Sequence, residues 1–89
     1  MRYKTVRDVI EFVGSLKAKE TADSLLQIHV ELYHEDAFAG EIERAMCSYR
    51  TVTVLKDERL LDYFVTDFKI EIRDYCVAFV LNIKEPSNI

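Results

Sequence analysis

The spacing of hydrophobic residues changes along the chain, and this change predicts which segments form helices and which form strands. Between Val6 and Leu16 the apolar residues recur every three or four positions, as on one face of a helix. From Leu26 to Tyr33 they alternate strictly with polar residues, as on a strand with one buried face. The chain is therefore expected to fold as a packed α+β domain.

The first predicted helix runs from about Val6 to about Lys19. Thr5 and Asp8 fit a capping box, in which the hydroxyl and the carboxylate each accept a backbone N–H. The first strand is predicted over Leu25–Tyr33, because four clean alternations with β-branched residues favour a strand. A helix remains the alternative for this segment, since some of its apolar residues also share a helical face.

The segment Asp36–Cys47 returns to helical spacing and is predicted to be a second helix with Asp36 as its N-cap. Glu41 and Arg44 would form an ion pair on its surface, three residues apart. The next segment, Arg50–Leu55, is rich in Thr and Val and is predicted to be a strand.

The last third of the chain is predicted to consist mainly of strands. The polar segment Lys56–Arg59 suits a hairpin connection, and Phe68–Ile72 alternates between apolar and charged residues. The segment Glu58–Thr66 fits either a strand or a short helix. The final strand, Tyr75–Ile83, is apolar on both faces, which is typical of a strand inside a sheet, and Phe79 is expected to be buried.

The resulting order, α-β-α-β-β-β, predicts one compact domain over residues 1–89. We expect a four-stranded, mainly antiparallel sheet with both helices on one face, a meander of the last three strands, and a frayed tail over residues 85–89. Two helices leave the second face uncovered, and Tyr63 and Val65 add to its apolar area. We therefore expect a second copy to cover that face in a two-fold homodimer.

Composition narrows the classes of partner. The net charge of −4 counts against binding to nucleic acid or to a membrane surface. The longest apolar run, from Tyr75 to Leu81, is too short to span a bilayer. Cys47 and Cys76 form no C-x-x-C pair and have no histidine at zinc-ligand spacing. We expect a cytoplasmic protein with two free thiols, no metal and no cofactor.

Candidate catalytic chemistry is sparse. His29, Glu31 and Tyr33 would project from one face of the first strand, where an imidazole beside a carboxylate can act as a base. A metal site formed by His29, His34 and nearby carboxylates is disfavoured, because His34 lies five positions from His29 and would face the other side of the strand. Gly14 and Gly40 are isolated and form no phosphate-binding loop.

These observations favour a small non-catalytic protein-interaction module that binds and modulates or inhibits a larger protein. The alternative is a ligand-binding or enzymatic homodimer with a pocket near His29, Glu31 and Tyr33. Tyrosines offer contact area with little loss of entropy, and carboxylates can guide docking. The candidate interaction surface therefore comprises tyrosines, acidic residues and one valine: Tyr33, Glu35, Asp36, Glu41, Glu43, Tyr63 and Val65.

Overall fold

The computed structural model describes residues 4–16, 27–46, 48–74 and 76–86, and within them the fold is one α-helix packed on a five-stranded sheet. A short 3₁₀ helix, Glu58–Asp62, lies between the third and fourth strands. The main elements in chain order are α1 (Val6–Ser15), β1 (Gln27–His34), β2 (Ala37–Ala45), β3 (Arg50–Leu55), β4 (Phe64–Ile72) and β5 (Cys76–Lys84).

The sheet is mixed, with the strand order β3-β2-β1-β5-β4. Neighbouring strands are antiparallel except β1 and β5, which run parallel at the centre. The meander consists of β1, β2 and β3, while β3 and β4 lie at opposite edges. The expectation of four mainly antiparallel strands, with the last three in a meander, is therefore wrong: Lys56–Arg59 belongs to a crossing between the two edges, not to a hairpin.

The expected second helix over Asp36–Cys47 is also wrong, because β2 occupies most of that segment. Glu35 and Asp36 connect β1 to β2, and both have positive φ, 52° and 65°, as in a type I′ hairpin turn. Next to this turn, Tyr33 pairs with Phe38 and Leu32 with Gly40. Ala39 is therefore an extra residue, in a β-bulge of β2. The bulge breaks the alternation of β2 and produces the apparent helical spacing.

The helix α1 begins as the sequence predicts. The Thr5 backbone N–H donates to Asp8 Oδ2 at 3.0 Å, and the Asp8 N–H donates to Thr5 Oγ1 at 3.2 Å, which confirms the capping box. Positions 17–19 of the predicted helix and positions 25–26 of the predicted first strand lie outside the described residues. No helix in the described part of the chain is long and apolar enough to cross a membrane.

The core lies between α1 and the sheet, and its most completely buried side chains are those of Val6, Val30, Leu32 and Ile42. Phe79, which was expected to be buried, packs against this core and is partly buried. Its strand, β5, lies one position from the edge of the sheet, where less of the fold is available to cover it.

Arg44 ties the end of α1 to the turn between β2 and β3. Only 5% of the residue is exposed, and its guanidinium donates to the Leu16 carbonyl at 2.8 Å, to Thr51 Oγ1 at 2.9 Å and to the Tyr49 carbonyl. Charge-assisted hydrogen bonds to these carbonyls stabilise a helix end and a turn together. Arg44 therefore does not lie on a helix surface beside Glu41, as its spacing predicted.

The two glycines are expected to respond in opposite ways to substitution by alanine. In Gly40→Ala the new Cβ would lie 2.6 Å from the Val54 carbonyl oxygen and 2.8 Å from Leu55 Cδ2, so the variant should be destabilised. In Gly14→Ala the nearest atom would be Thr51 Oγ1 at 3.9 Å, and the better helix propensity should stabilise the protein by about 0.5–1 kcal/mol. Urea unfolding of both variants tests this expectation, and a change of the same sign in their free energies of unfolding would contradict it.

Candidate functional site

The alternation of β1 gives the sheet two chemically different faces. Val30 and Leu32 point toward α1, so His29, Glu31 and Tyr33 lie on the opposite face. The strand register extends each set of side chains onto the neighbouring strands. We call the face of the sheet that points away from α1 the charged face. Its main residues are His29, Glu31, Glu41, Glu43, Lys69, Glu71 and Arg73.

His29 is surrounded by three carboxylates on the charged face. Its Nε2 lies 3.5 Å from a Glu31 oxygen and 3.4 Å from a Glu41 oxygen, and its Nδ1 lies 3.4 Å from a Glu43 oxygen. Glu31 is directly opposite Glu41 in the register, an arrangement in which like charges repel. A protonated His29 would reduce this repulsion, because it would place a positive charge between the carboxylates.

Arg73 links the far side of the charged face to β1. Its Nη2 lies 3.0 Å from Glu31 Oε1 and 2.7 Å from Glu71 Oε1, although β5 separates these two glutamates in the sheet. The intervening residue of β5 in the row of Glu71 is Ala78, whose small side chain leaves room for the arginine to cross. The hydrogen bonds from Arg73, and then those from Lys69, lower the pKa of Glu71.

Among the described residues, one group of side chains could hold a metal ion. An imidazole nitrogen of His29 and carboxylate oxygens of Glu41 and Glu43 lie within 4.8 Å of one another. Nitrogen and carboxylate oxygen ligands suit several divalent transition metals. The sequence did not identify Glu41 and Glu43 as neighbours of His29, because their segment was predicted to be a helix.

A shallow concavity of about 460 Å³ adjoins this group on the charged face. Glu31, Tyr33, Lys69 and Arg73 are among the residues that line it. Lys69 and Arg73 both form ion pairs with Glu71, so the cations here are already partly neutralised. The concavity offers polar groups to a ligand, together with a surface largely open to water.

A group of highly exposed apolar side chains lies on the other face, beside α1. A helix is about 10 Å wide and strands lie about 4.8 Å apart, so one helix covers about two of five strands. On β4, Phe68, Ile70 and Ile72 are 59%, 56% and 87% exposed, and Phe12 of α1 is 64% exposed. We call these four residues the apolar surface.

A groove of about 230 Å³ runs beside the apolar surface, between α1 and strands β4 and β5. Its lining is almost wholly hydrophobic and includes Val9, Phe12, Val65, Phe68 and Phe79. Contact of such an apolar groove with water is unfavourable in an isolated protein, and a groove of this kind commonly marks an interaction site. Sequence periodicity indicated that Phe68, Ile70 and Ile72 share a face, but it gave no means of showing that α1 stops short of them.

The structure distributes the candidate interaction residues among separate regions. Tyr33, Glu41 and Glu43 lie on the charged face, where the Tyr33 ring meets that of Phe38 edge to face at 5.9 Å. Glu35 and Asp36 form the exposed β1–β2 turn.

Tyr63 and Val65 lie elsewhere, at the start of β4. The Tyr63 hydroxyl donates to Glu85 Oε1 at 3.1 Å, and Val65 packs against the core on the helix side. The residues of β5 on the second face, among them Ala78 and Val80, lie among the charged residues of β1 and β4. The exposed apolar area on β4 therefore lies on the face that carries the helix, not on the second face for which a homodimer was argued.

No protein-family model, curated protein or solved structure shows significant similarity to this chain.

The lowered pKa of Glu71 predicts a pH-dependent contribution to stability. A carboxylate whose pKa is lower in the folded than in the unfolded protein stabilises the fold above its ordinary value, 4.5, and this stabilisation is lost as the pH falls through the lowered value. Glu71→Gln should therefore reduce the free energy of unfolding at about pH 7 and have much less effect at about pH 2.5.

Urea unfolding of both proteins at the two pH values measures this difference. Glu58→Gln, at an exposed position of the 3₁₀ helix, provides the matched control. An effect of Glu71→Gln that is equally large at both pH values would contradict the prediction.

Proposed function

We propose that this protein is a small non-catalytic interaction module that binds a larger protein through the apolar surface and thereby modulates or inhibits it. The observation that supports this proposal is the exposure of Phe12, Phe68, Ile70 and Ile72 around a hydrophobic groove. Apolar side chains at the centre of an interface contribute most of the binding energy when water is excluded from them.

The charged residues fit a supporting role in docking. The net charge is −4; Glu35 and Asp36 form the β1–β2 turn, and Glu41 and Glu43 lie farther along β2 on the charged face. Exposed carboxylates accelerate association with a basic partner more than they slow dissociation. We propose that these four residues steer a partner toward the protein, while the apolar surface forms the stable contact.

A cytoplasmic location belongs to the same proposal. The Cys76 thiol is free, and neither cysteine lies in a motif that suggests a disulfide. Proteins with unpaired thiols are common in reducing compartments. A location there would give the module access to intracellular proteins. Its acidic charge disfavours nucleic acid and membrane surfaces as partners.

A second candidate function is the binding of a small ligand on the charged face, near His29, Glu31 and Tyr33. The concavity lined by Glu31 and Tyr33 favours it. It ranks second because ligand sites are usually more enclosed and mainly apolar, with a few unpaired polar groups. Here Glu31 is already engaged by Arg73 and lies 3.5 Å from His29.

Phe12→Asp is the sharpest test of the proposed function. A partner should be captured from the source cells, identified, purified and titrated against the wild-type protein by calorimetry. The charge placed on the apolar surface should weaken binding by about tenfold or more, equivalent to about 1.4 kcal/mol. Binding of the wild-type protein should also show a negative heat-capacity change, the mark of apolar burial.

The matched control is Thr53→Asp, which places the same charge at an exposed position of β3, the opposite edge strand, away from Glu41 and Glu43. This variant should bind like the wild-type protein. Unchanged affinity of Phe12→Asp, or equal loss in both variants, would contradict docking at the apolar surface. Saturable binding of a small molecule that is lost in Glu31→Gln would instead favour the second candidate.

A further inference from the structure

The edge of the sheet at β4 is open along most of its length. At the start of the strand, the Val65 N–H donates to the Lys4 carbonyl at 2.8 Å, and Thr5 forms a bridge with Phe64. The chain before α1 therefore covers the first two residues. From Thr66 to Ile72 the strand pairs with β5 on one side and has no strand on the other within the described residues.

The geometry points to a second copy of this chain as the occupant of that edge. We infer that two β4 strands pair antiparallel about a two-fold axis at Ile70, so that the two sheets join into one of ten strands. Open edge strands present unpaired backbone groups that readily take up another strand. The inference concerns the strand edge and does not depend on the proposed docking of another protein.

The side chains of the open segment complement themselves in this register. On the charged face, Lys69 would lie opposite Glu71 of the partner subunit. Asp67 would likewise lie opposite Arg73 of the partner subunit. Each contact occurs twice by symmetry, which gives four attractive cross-strand charge pairs.

The other face of the same segment is complementary by shape and hydrophobicity. Phe68 would lie opposite Ile72 of the partner subunit, and the two copies of Ile70 would meet at the axis. These side chains are highly exposed in the single chain, most of all Ile72. Cross-strand aromatic and β-branched pairs stabilise antiparallel sheets, and here they would reduce the contact of apolar atoms with water.

Neighbouring registers are disfavoured by the same residues. An axis at Lys69 would place the two lysines opposite each other, and Asp67 opposite Glu71 of the partner subunit. An axis at Glu71 would place the two Glu71 residues opposite each other, and Lys69 opposite Arg73 of the partner subunit. An axis between residues would set apolar side chains beside charged ones.

Pairing about Ile70 would also join the two apolar surfaces. The axis is perpendicular to the sheet, so both copies keep α1 on the same side. The apolar strips of the two β4 strands then lie side by side between the two helices. The dimer would thus present one continuous apolar area, with Phe12 of each copy at its border.

The charges at positions 69 and 71 allow a direct test by sedimentation equilibrium. Lys69→Glu places acidic residues opposite each other in the dimer, and Glu71→Lys does the same with basic residues. Each variant alone should dimerise at least about tenfold more weakly than the wild-type protein, because two attractive pairs become repulsive. The double variant K69E/E71K restores opposite charges and should recover dimerisation.

Mixing the two single variants separates contacts between copies from contacts within one copy. Lys69 and Glu71 also approach to 3.3 Å within each chain, and mixing does not repair that internal pair. A heterodimer, however, would place acidic residues of one copy opposite basic residues of the other. The equimolar mixture should therefore dimerise more tightly than either variant alone, by about tenfold or more.

Two controls keep the outcome decisive. Urea unfolding shows whether each variant is folded. Glu58→Lys introduces the same charge change as Glu71→Lys but lies in the 3₁₀ helix, away from the edge, so this variant should dimerise like the wild-type protein. A wild-type monomer at high micromolar concentration would overturn the inference. So would a dimer that is insensitive to both single variants, or a mixture no tighter than its components.

Discussion

The position of β1 at the centre of the sheet is the constraint on which the rest of the structure depends. Its residues alternate between apolar and polar, so Val30 and Leu32 fix the side on which α1 packs, while His29 and Glu31 define the charged face. Antiparallel β2 and parallel β5 flank it, and their registers carry the same division outward across the sheet. A one-residue slip of β1 would exchange the two faces and bury His29, Glu31 and Tyr33.

This constraint explains why the side chains of the charged face pair with one another, whereas those of the apolar face are only partly covered. The long charged side chains neutralise one another across strands, with Arg73 spanning β5 to reach Glu31. The apolar face depends instead on covering by other elements, and α1 has only ten residues. It packs mainly against the 3₁₀ helix, β3 and β2, which leaves Phe68, Ile70 and Ile72 exposed on β4. The uncovered strand is both the proposed docking surface and the edge inferred to pair with a second copy.

The sequence predicted those elements whose patterns lie within a few neighbouring residues. The Thr5 capping box, the alternation of β1 and the segment of β3 were readable because period and cap lie within a few residues. The β1–β2 hairpin was missed because its turn places Glu35 and Asp36, not Asn-Gly, at positive φ, and because the Ala39 bulge imitates helical spacing. The group formed by His29, Glu41 and Glu43 was missed together with this hairpin. Parallel pairing of β1 with β5 leaves no mark in periodicity, so the uncovered edge at β4 was not predictable.

The central claim is that a second molecule covers β4, and amide hydrogen exchange tests it residue by residue. Exchange should be followed at low and high protein concentration, with β1 as the internal reference because it lies inside the sheet of a single chain. The account predicts that outer-edge amides between Phe68 and Ile72 exchange more slowly as concentration rises, while amides of Val30 and Leu32 do not change. Exchange in β4 that is independent of concentration up to the high micromolar range would contradict it.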